Sequence, residues 1–282
     1  MSSEIHEIYF PASTPCPERV RHWTRLGVRA FSRQNGKYIS TVKYTIPPPF
    51  APKKELNIGF LSDLHYTGSE KCRKIMEEIE RSLQQNFCDI LLLGGDMCAD
   101  SSSLHLLPDV LKRLAKYSKK CFAIPGNWEK GKCWLADDYW KNLYLDCGIE
   151  YLVNSKYDLG SVTVTGVDDC GEGYPQIPSE FDYNKFNILL AHRPDTVVWL
   201  DRKKSLQNCG LALCGHTHAG QIRIVRGLLP ASKYGWSFDY GFFRHKTHDT
   251  AMYVSSGAGE LSFPLRINSD RELVFFKHSE DR

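Results

Sequence analysis

Carboxylates, imidazoles and one carboxamide recur between residues 63 and 218 in a pattern suited to holding two metal ions. Asp63-Leu64-His65 follows the apolar run 57–61, Gly95-Asp96 follows 90–93, and Gly126-Asn127 follows 121–124. His192 follows 186–191, and Gly215-His216-Thr217-His218 follows 211–214. Each candidate ligand thus stands just past a short apolar run, where open α/β sheets build their sites at the carboxyl ends of strands. In the pairs Asp63/His65 and His216/His218, the two-residue period of a strand sends both side chains to one face, toward a shared ion. Such a centre suits phosphate ester chemistry. Two ions neutralise phosphate oxygens and bring the pKa of a water down from about 15.7 toward about 7. Imidazole, carboxylate and amide oxygen together favour Mn²⁺, Fe or Zn²⁺ over the all-oxygen sites of Ca²⁺ or Mg²⁺.

The elements that must position these residues alternate. Apolar runs precede helix-like stretches at 70–86, 104–118 and 134–146, and strand followed by helix, repeated, argues for βαβ units in a parallel sheet. After residue 150 the texture turns to short strand-like runs: Val162 to Val167, Phe186 to Ala191, Leu211 to Cys214, Ile222 to Val225, Ala251 to Ser255 and Leu273 to Phe276. The stretch 227–244 is dense in aromatics: Tyr234, Trp236, Phe238, Tyr240, Phe242 and Phe243. Two readings stand for it, a core-packing excursion or an apolar wall beside the metals for a lipid chain or membrane. His6, His22, His105, His245, His248 and His278 lie outside the motifs and read as surface or core residues.

A chain of 282 residues, 42% hydrophobic, can bury a full core, and ligands drawn from 63 to 218 favour one domain over two. No run approaches 18 apolar residues, so no membrane-spanning helix is expected. Glu4 and Glu7 near the N-terminus, with no basic-then-apolar segment, do not read as a secretion signal. The ten cysteines contain no C-x-x-C pair, which fits reduced thiols of a cytoplasmic protein. Net charge is +3 but uneven: residues 1–55 hold nine Lys and Arg against four acids. A nucleic-acid binder spreads basic residues over its domain, so nucleic acid is not an expected partner. Residues 1–55 read as a basic leader, with 18–33 as an amphipathic helix: Val20, Trp23, Gly27, Ala30 and Phe31 near one face, five arginines around the others. That helix would pack on the domain or lie on an anionic membrane surface. Pro47-Pro48-Pro49 then ends the leader, and 56–282 forms the domain.

In the order D-x-H, G-D, G-N, H and G-H-x-H, residues 56–276 resemble the calcineurin-like metallophosphoesterases. The resemblance implies an α/β four-layer α/β/β/α sandwich of two packed mixed sheets. It implies that Asp63, His65 and His218 hold one ion, that Asn127, His192 and His216 hold the second, and that Asp96 bridges them, its carboxylate offering two oxygens. Catalysis would then rest on Asp63, Asp96, Asn127 and His192 as holders of Lewis acids, with two divalent ions, Mn²⁺ first, as cofactors. Trp128 and Arg193, which follow Asn127 and His192, are the candidate substrate contacts. Asp100 lies one residue too far from Asp96 for a second acid of the G-D motif, and Asp168 and Asp169 read as turn residues or supports of the site.

One departure carries substrate information. The family's third motif ends in His, placed to protonate the leaving oxygen, and here position 128 is Trp. An indole cannot give up that proton. An alkoxide, whose conjugate acid has a pKa near about 15–16, would leave poorly, whereas a phosphate, with a second pKa of roughly 6, needs no acid. The chain is therefore most similar to the UDP-2,3-diacylglucosamine hydrolases (diphosphatases) of lipid A biosynthesis, in cysteine usage and texture to the chlamydial ones. What this implies is release of UMP and 2,3-diacylglucosamine 1-phosphate at the cytoplasmic face of the inner membrane, from a lipid-linked nucleotide. A phosphodiesterase or phosphatase on another nucleotide or lipid headgroup, and a non-catalytic metal-binding scaffold, are the alternatives.

Overall fold

The computed structural model describes residues 22–30, 32–46, 54–131, 135–222, 237–259 and 266–278, with positions 52, 133 and 234. One sheet contains β2 (Ser32–Asn35), β3 (Ser40–Thr45), β4 (Leu56–Leu61), β5 (Cys88–Leu93), β6 (Ser118–Ala123), β7 (Glu150–Tyr151) and β14 (Glu272–His278), in the order β2-β3-β14-β4-β5-β6-β7. The other contains β1 (Trp23–Arg25), β8 (Ser155–Asp158), β9 (Val162–Gly166), β10 (Phe186–Leu190), β11 (Leu211–Cys214), β12 (Gly241–His245) and β13 (Ala251–Val254), in the order β1-β12-β13-β11-β10-β9-β8. Both sheets are mixed, with parallel centres: β4, β5 and β6 run together in one, and β9, β10, β11 and β13 in the other.

Strand alternation builds three cores. Ile58 and Phe60, Ile90 and Leu92, and Phe122 face Ile188 and Leu190, Leu211 and Leu213, and Tyr253 between the sheets. Their neighbours Leu61, Leu91, Leu93 and Cys121 turn outward, against helices α1 (Glu70–Gln85), α2 (Leu107–Ala115) and α4 (Asp137–Asp146). Leu189, Ala212, Cys214 and Met252 turn the other way, toward α5 (Pro194–Arg202) through Val197, Val198 and Leu200. A strand buried on both faces must be apolar at every position, and this is why these segments read as runs rather than as alternation. Helices outside two stacked sheets give the α/β/β/α sandwich.

The helix at 18–33 is corrected by the structure: Trp23–Arg25 and Ser32–Asn35 are strands, and 18–21 fall outside the described residues. β1 pairs antiparallel with β12, Trp23 opposite His245, and only Trp23 of its three residues is buried, within the α5-side core. Arg25 lies over the Phe243 ring at 4.6 Å and pairs with Asp239. Ladder bonds and that core offset a helical preference already weakened by Gly27. Nor does position 55 bound the domain, since β3 runs parallel to β14 inside the sheet that carries β4. Of the strand expected at Ile222 to Val225, only Ile222 is described, bridged to Ile267. Among the described residues no helix is long and apolar enough to cross a membrane.

Candidate metal centre

The carboxyl ends of β4, β5, β6, β10 and β11 converge, and the loops beyond them remain paired. Asp63 N–H donates to the Gly95 carbonyl at 3.0 Å and His65 N–H to that of Asp96 at 2.9 Å, so the first two motifs extend one ladder past its strands. Backbone strain is concentrated here. Asp63, His65, Asp96, His216 and His218 all have φ between 45° and 68°. Non-glycine residues are rarely held there, at about 1–3 kcal/mol each, and such outliers cluster at functional sites. Glycine supplies the closest approaches: a Cβ at Gly126 would overlap Asp96 Oδ1, and one at Gly215 would overlap Asp63 Oδ2.

Asp63, His65 and His218 form one buried cluster; Asp96, His192 and His216 form a second. Within each cluster, one potential ligand atom per residue lies within 4.8 Å of the others. Asp96 Oδ2 joins them, 3.6 Å from His65 Nε2 in the first and 3.3 Å from His192 Nε2 in the second. Its other oxygen is occupied by the Trp128 N–H at 2.8 Å, so a single oxygen is left for bridging. Asn127 Oδ1 lies 3.0 Å from His192 Nε2, and His216 Nδ1 lies 3.2 Å from the same nitrogen. His192 Nδ1 donates to the Gly94 carbonyl at 2.8 Å, which aims Nε2 into the cluster. Asp63 accepts the His216 N–H at 3.0 Å, tying the first motif to the last.

These residues fit divalent ions. Both nitrogens of His65 and Nε2 of His218 are buried without a hydrogen-bond partner. The two Nε2 atoms stand 3.5–3.6 Å from carboxylate oxygens that they fail to bond. Orphaned buried imidazole nitrogens are costly, and an ion between nitrogen and carboxylate removes the cost. Burial would lower the His192 pKa, but Asp96 and Asp63 prevail and hold it at about 10. Burial alone would raise Asp96, yet His192 and His65 keep it below the usual carboxylate range. His218 differs, since Arg266 donates to its Nδ1 at 2.9 Å and so leaves the ring proton on Nε2. An ion on Nε2 therefore requires that contact to loosen, and Arg266 keeps other acceptors in the carbonyls of Ser256 and Gly259.

Sequence reading missed Glu129. Buried on the short helix α3 (Asn127–Gly131), it accepts N–H bonds from Asp96 at 2.9 Å, Met97 at 2.7 Å and Gly126 at 3.0 Å. Burial and the Asp96 carboxylate push its pKa up to about 8. One side chain thus fixes two ligand-bearing loops. Asp100 instead closes a turn, accepting from Ser102 and Ser103. Asp169 accepts from Arg193 Nε at 2.8 Å, and Asp168 pairs with Lys130 at 3.0 Å. Trp128 is half-buried, its ring edge-on to His65 at 4.8 Å between centroids. In the aromatic stretch, Tyr234, Phe238, Phe242 and Phe243 are buried in the cores, which is the packing reading; Trp236 is outside the described residues.

Asp201, His245 and His248 also come together, at the far end of α5 from His192. His245 Nδ1 accepts the backbone N–H of Thr247 and His248, so its proton sits on Nε2, directed at Asp201 Oδ1 at 3.2 Å. Unlike the Arg266 side chain at His218, these backbone donors are fixed, so Nε2 keeps its proton and offers no lone pair to an ion, and His245 is a packed core histidine.

A family model described as calcineurin-like phosphoesterase matches residues 56–220, more than half of the chain. The chain belongs to that family. The family is one of phosphoesterases, and the two clusters offer ligands for divalent metal ions. An uncharacterized metallophosphoesterase of Helicobacter pylori is 31% identical over 79% of this chain and 60% of its own length. The chain thus spans about 60% of that relative. The protein named phosphodiesterase YaeI from Escherichia coli is 30% identical over 78% of this chain and 81% of its own. A dimetal phosphatase from Danio rerio superposes with a TM-score of 0.48 at 10% identity, covering 74% of this chain and 88% of that one.

Proposed function

We propose that the chain hydrolyses a phosphoanhydride whose leaving group is itself a phosphate, with UDP-2,3-diacylglucosamine as substrate. The observation carrying this reading is Trp128, edge-on to the ligand His65 where the family has its proton donor. Divalent ions held by Asp63, His65 and His218 and by Asn127, His192 and His216, Mn²⁺ first, would supply Lewis-acid charge and lower the pKa of a nearby water. The chain's residues set the charge: Asp63 and Asp96 are the only anions among the seven candidate ligands, Asn127 is neutral, and two divalent ions would leave the centre about +2, attractive to a diphosphate. His192, fixed through Nδ1, and Asp96, fixed by the Trp128 N–H, hold the donors rigid. In the reaction a water oxygen bonds to one phosphorus, and the anhydride oxygen leaves with its electron pair on the other phosphate. UMP and 2,3-diacylglucosamine 1-phosphate are released. No group near position 128 need give up a proton.

That the Escherichia coli relative is named a phosphodiesterase favours a second reading, a phosphodiesterase or phosphatase on another nucleotide or lipid headgroup. Incubation of Mn²⁺-loaded protein with UDP-2,3-diacylglucosamine, UDP-sugars and bis(p-nitrophenyl) phosphate, read by product mass, separates the two. UMP with lipid monophosphate is expected. Turnover of the aryl diester alone selects the second reading, and no turnover of either selects the scaffold.

Attachment to an anionic membrane surface at the cytoplasmic face belongs to the same proposal. Its support is the +5 charge of residues 1–55, with Arg29 exposed; Trp23 is in the core and unavailable. Each arginine near such a surface contributes about 1 kcal/mol. Replacing Arg19, Arg21 and Arg29 together by Gln should weaken sedimentation with phosphatidylserine vesicles about 100-fold, and salt should weaken the intact protein similarly. Intact protein that stays in the supernatant at low salt rejects attachment.

A further inference from the structure

Arg193 is built into the edge of the metal centre in a way that the seven ligands do not require. It follows His192 directly, and its side chain is 17% exposed. Asp169, fully buried, accepts its Nε–H at 2.8 Å. Asp169 is itself fixed, since its second oxygen accepts the N–H of Gly171 at 2.9 Å and of Glu172 at 3.1 Å. The guanidinium lies against Gly171 so closely that a Cβ there would come within 2.7–2.9 Å of Cζ and both terminal nitrogens. That loop also reaches α3, where a Cβ at Gly131 would stand 3.2 Å from the Glu172 carboxyl. Arg193 is therefore packed between a metal ligand and the loop 168–174. Only its Nε is used: among the described residues, its four terminal N–H bonds have no protein acceptor.

A merely structural arginine would spend those donors on carbonyls, as Arg266 does nearby. A planar guanidinium with both terminal nitrogens free, its orientation fixed by one carboxylate, matches the two non-bridging oxygens of a phosphoryl group. Ions held by the two clusters would already neutralise the phosphoryl under attack. We propose that Arg193 determines specificity by binding the second phosphoryl group of a diphosphate substrate, with Asp169 as its positioning residue. This deepens the diphosphate reading and rests on it for the identity of the substrate, but not for its own test.

The test is binding rather than turnover. Calorimetric titration of Mn²⁺-loaded protein with UDP and with UMP compares ligands that differ by one phosphoryl group. The wild type should bind UDP more tightly than UMP. Arg193→Gln should weaken UDP by about 10- to 100-fold, the range of a charge-assisted hydrogen-bonded pair, and UMP by no more than about 3-fold. Asp169→Asn should shift the UDP/UMP ratio the same way by less, because the guanidinium remains but is no longer held. Asp169→Asn/Arg193→Gln removes both buried charges together, and with bound metal measured it controls for a disturbed fold. Equal weakening of both ligands, loss of bound metal, or a wild type indifferent to the second phosphate overturns the proposal. A preserved UDP preference that Arg193→Gln abolishes, in a protein that hydrolyses only the aryl diester, upholds Arg193 and rejects the diphosphate reaction.

Discussion

Asp96→Asn is expected to empty both ion sites at once, lowering metal affinity at each by more than about 100-fold and abolishing hydrolysis. Changing residues that merely support a ligand costs about 10–100-fold, and Asp96 would itself be a ligand, its one free oxygen facing both clusters. Asparagine could still accept the Trp128 N–H, so the fold should survive while the bridging charge is gone. Any single histidine change leaves one cluster whole and should cost less. Glu129→Gln provides the contrast, because Glu129 touches no ion position. Its Oε2 serves Asp96 and Gly126, and Oε1 serves Met97. A carboxyl can shed its proton to accept all three, whereas a glutamine amide must face one of these N–H groups with a donor, at about 1–3 kcal/mol for the buried group left unpaired. Glu129→Gln should thus lower thermal stability and weaken both ions modestly, whereas Asp96→Asn should mainly remove metal. Elemental analysis after dialysis reads the metal, and melting reads the fold. Unchanged metal in Asp96→Asn, or an equal loss in Asp100→Asn, would sink the assignment, since Asp100 only closes a turn.

What the sequence revealed and what it hid follow one physical division. Strands buried on both faces must be apolar throughout, so 57–61, 90–93 and 211–214 stood out, and the polar residues just past them marked the site. α1 was legible because its buried positions Ile75, Met76, Ile79 and Leu83 keep helical spacing. Short edge elements carry no such signal. β1 is three residues whose pairing partner lies 222 positions away, Trp23 against His245, and the arginine spacing around it imitated a helix. β12 was hidden inside the aromatic stretch, whose rings pack in the cores on both faces of one sheet. Glu129 was illegible, and so was the pairing of Asp169 with Arg193, two residues singled out separately, because an acid in a polar stretch looks solvated until the fold places N–H groups or a guanidinium against it. Positive φ at five ligands left no mark, since Asp and His, unlike glycine, do not announce it.

Trp128→His should raise turnover of esters with poor leaving groups while leaving diphosphate cleavage no faster. The indole stands edge-on to His65 with its centroid 4.8 Å away, so an imidazole at 128 would sit beside the ions, within reach of a departing oxygen. General acid assistance is typically worth about 10²–10⁴-fold; a graft without its own supporting hydrogen bonds should give the lower end, about 10²-fold, on an alkyl ester. A departing phosphate is already a stable anion, with a second pKa of roughly 6, and gains nothing from a proton donor. The backbone N–H of residue 128 still serves Asp96 Oδ1 in the variant, so ion binding should persist. Loss of the indole should raise diphosphate KM, because its face is then no longer available to stack on a base or sugar ring. Both substrates are measured in wild type and variant at matched metal loading. A wild type that already prefers alkyl monoesters would refute the leaving-group argument whatever the variant does, because chemistry that demands an acid would then be proceeding without one at position 128.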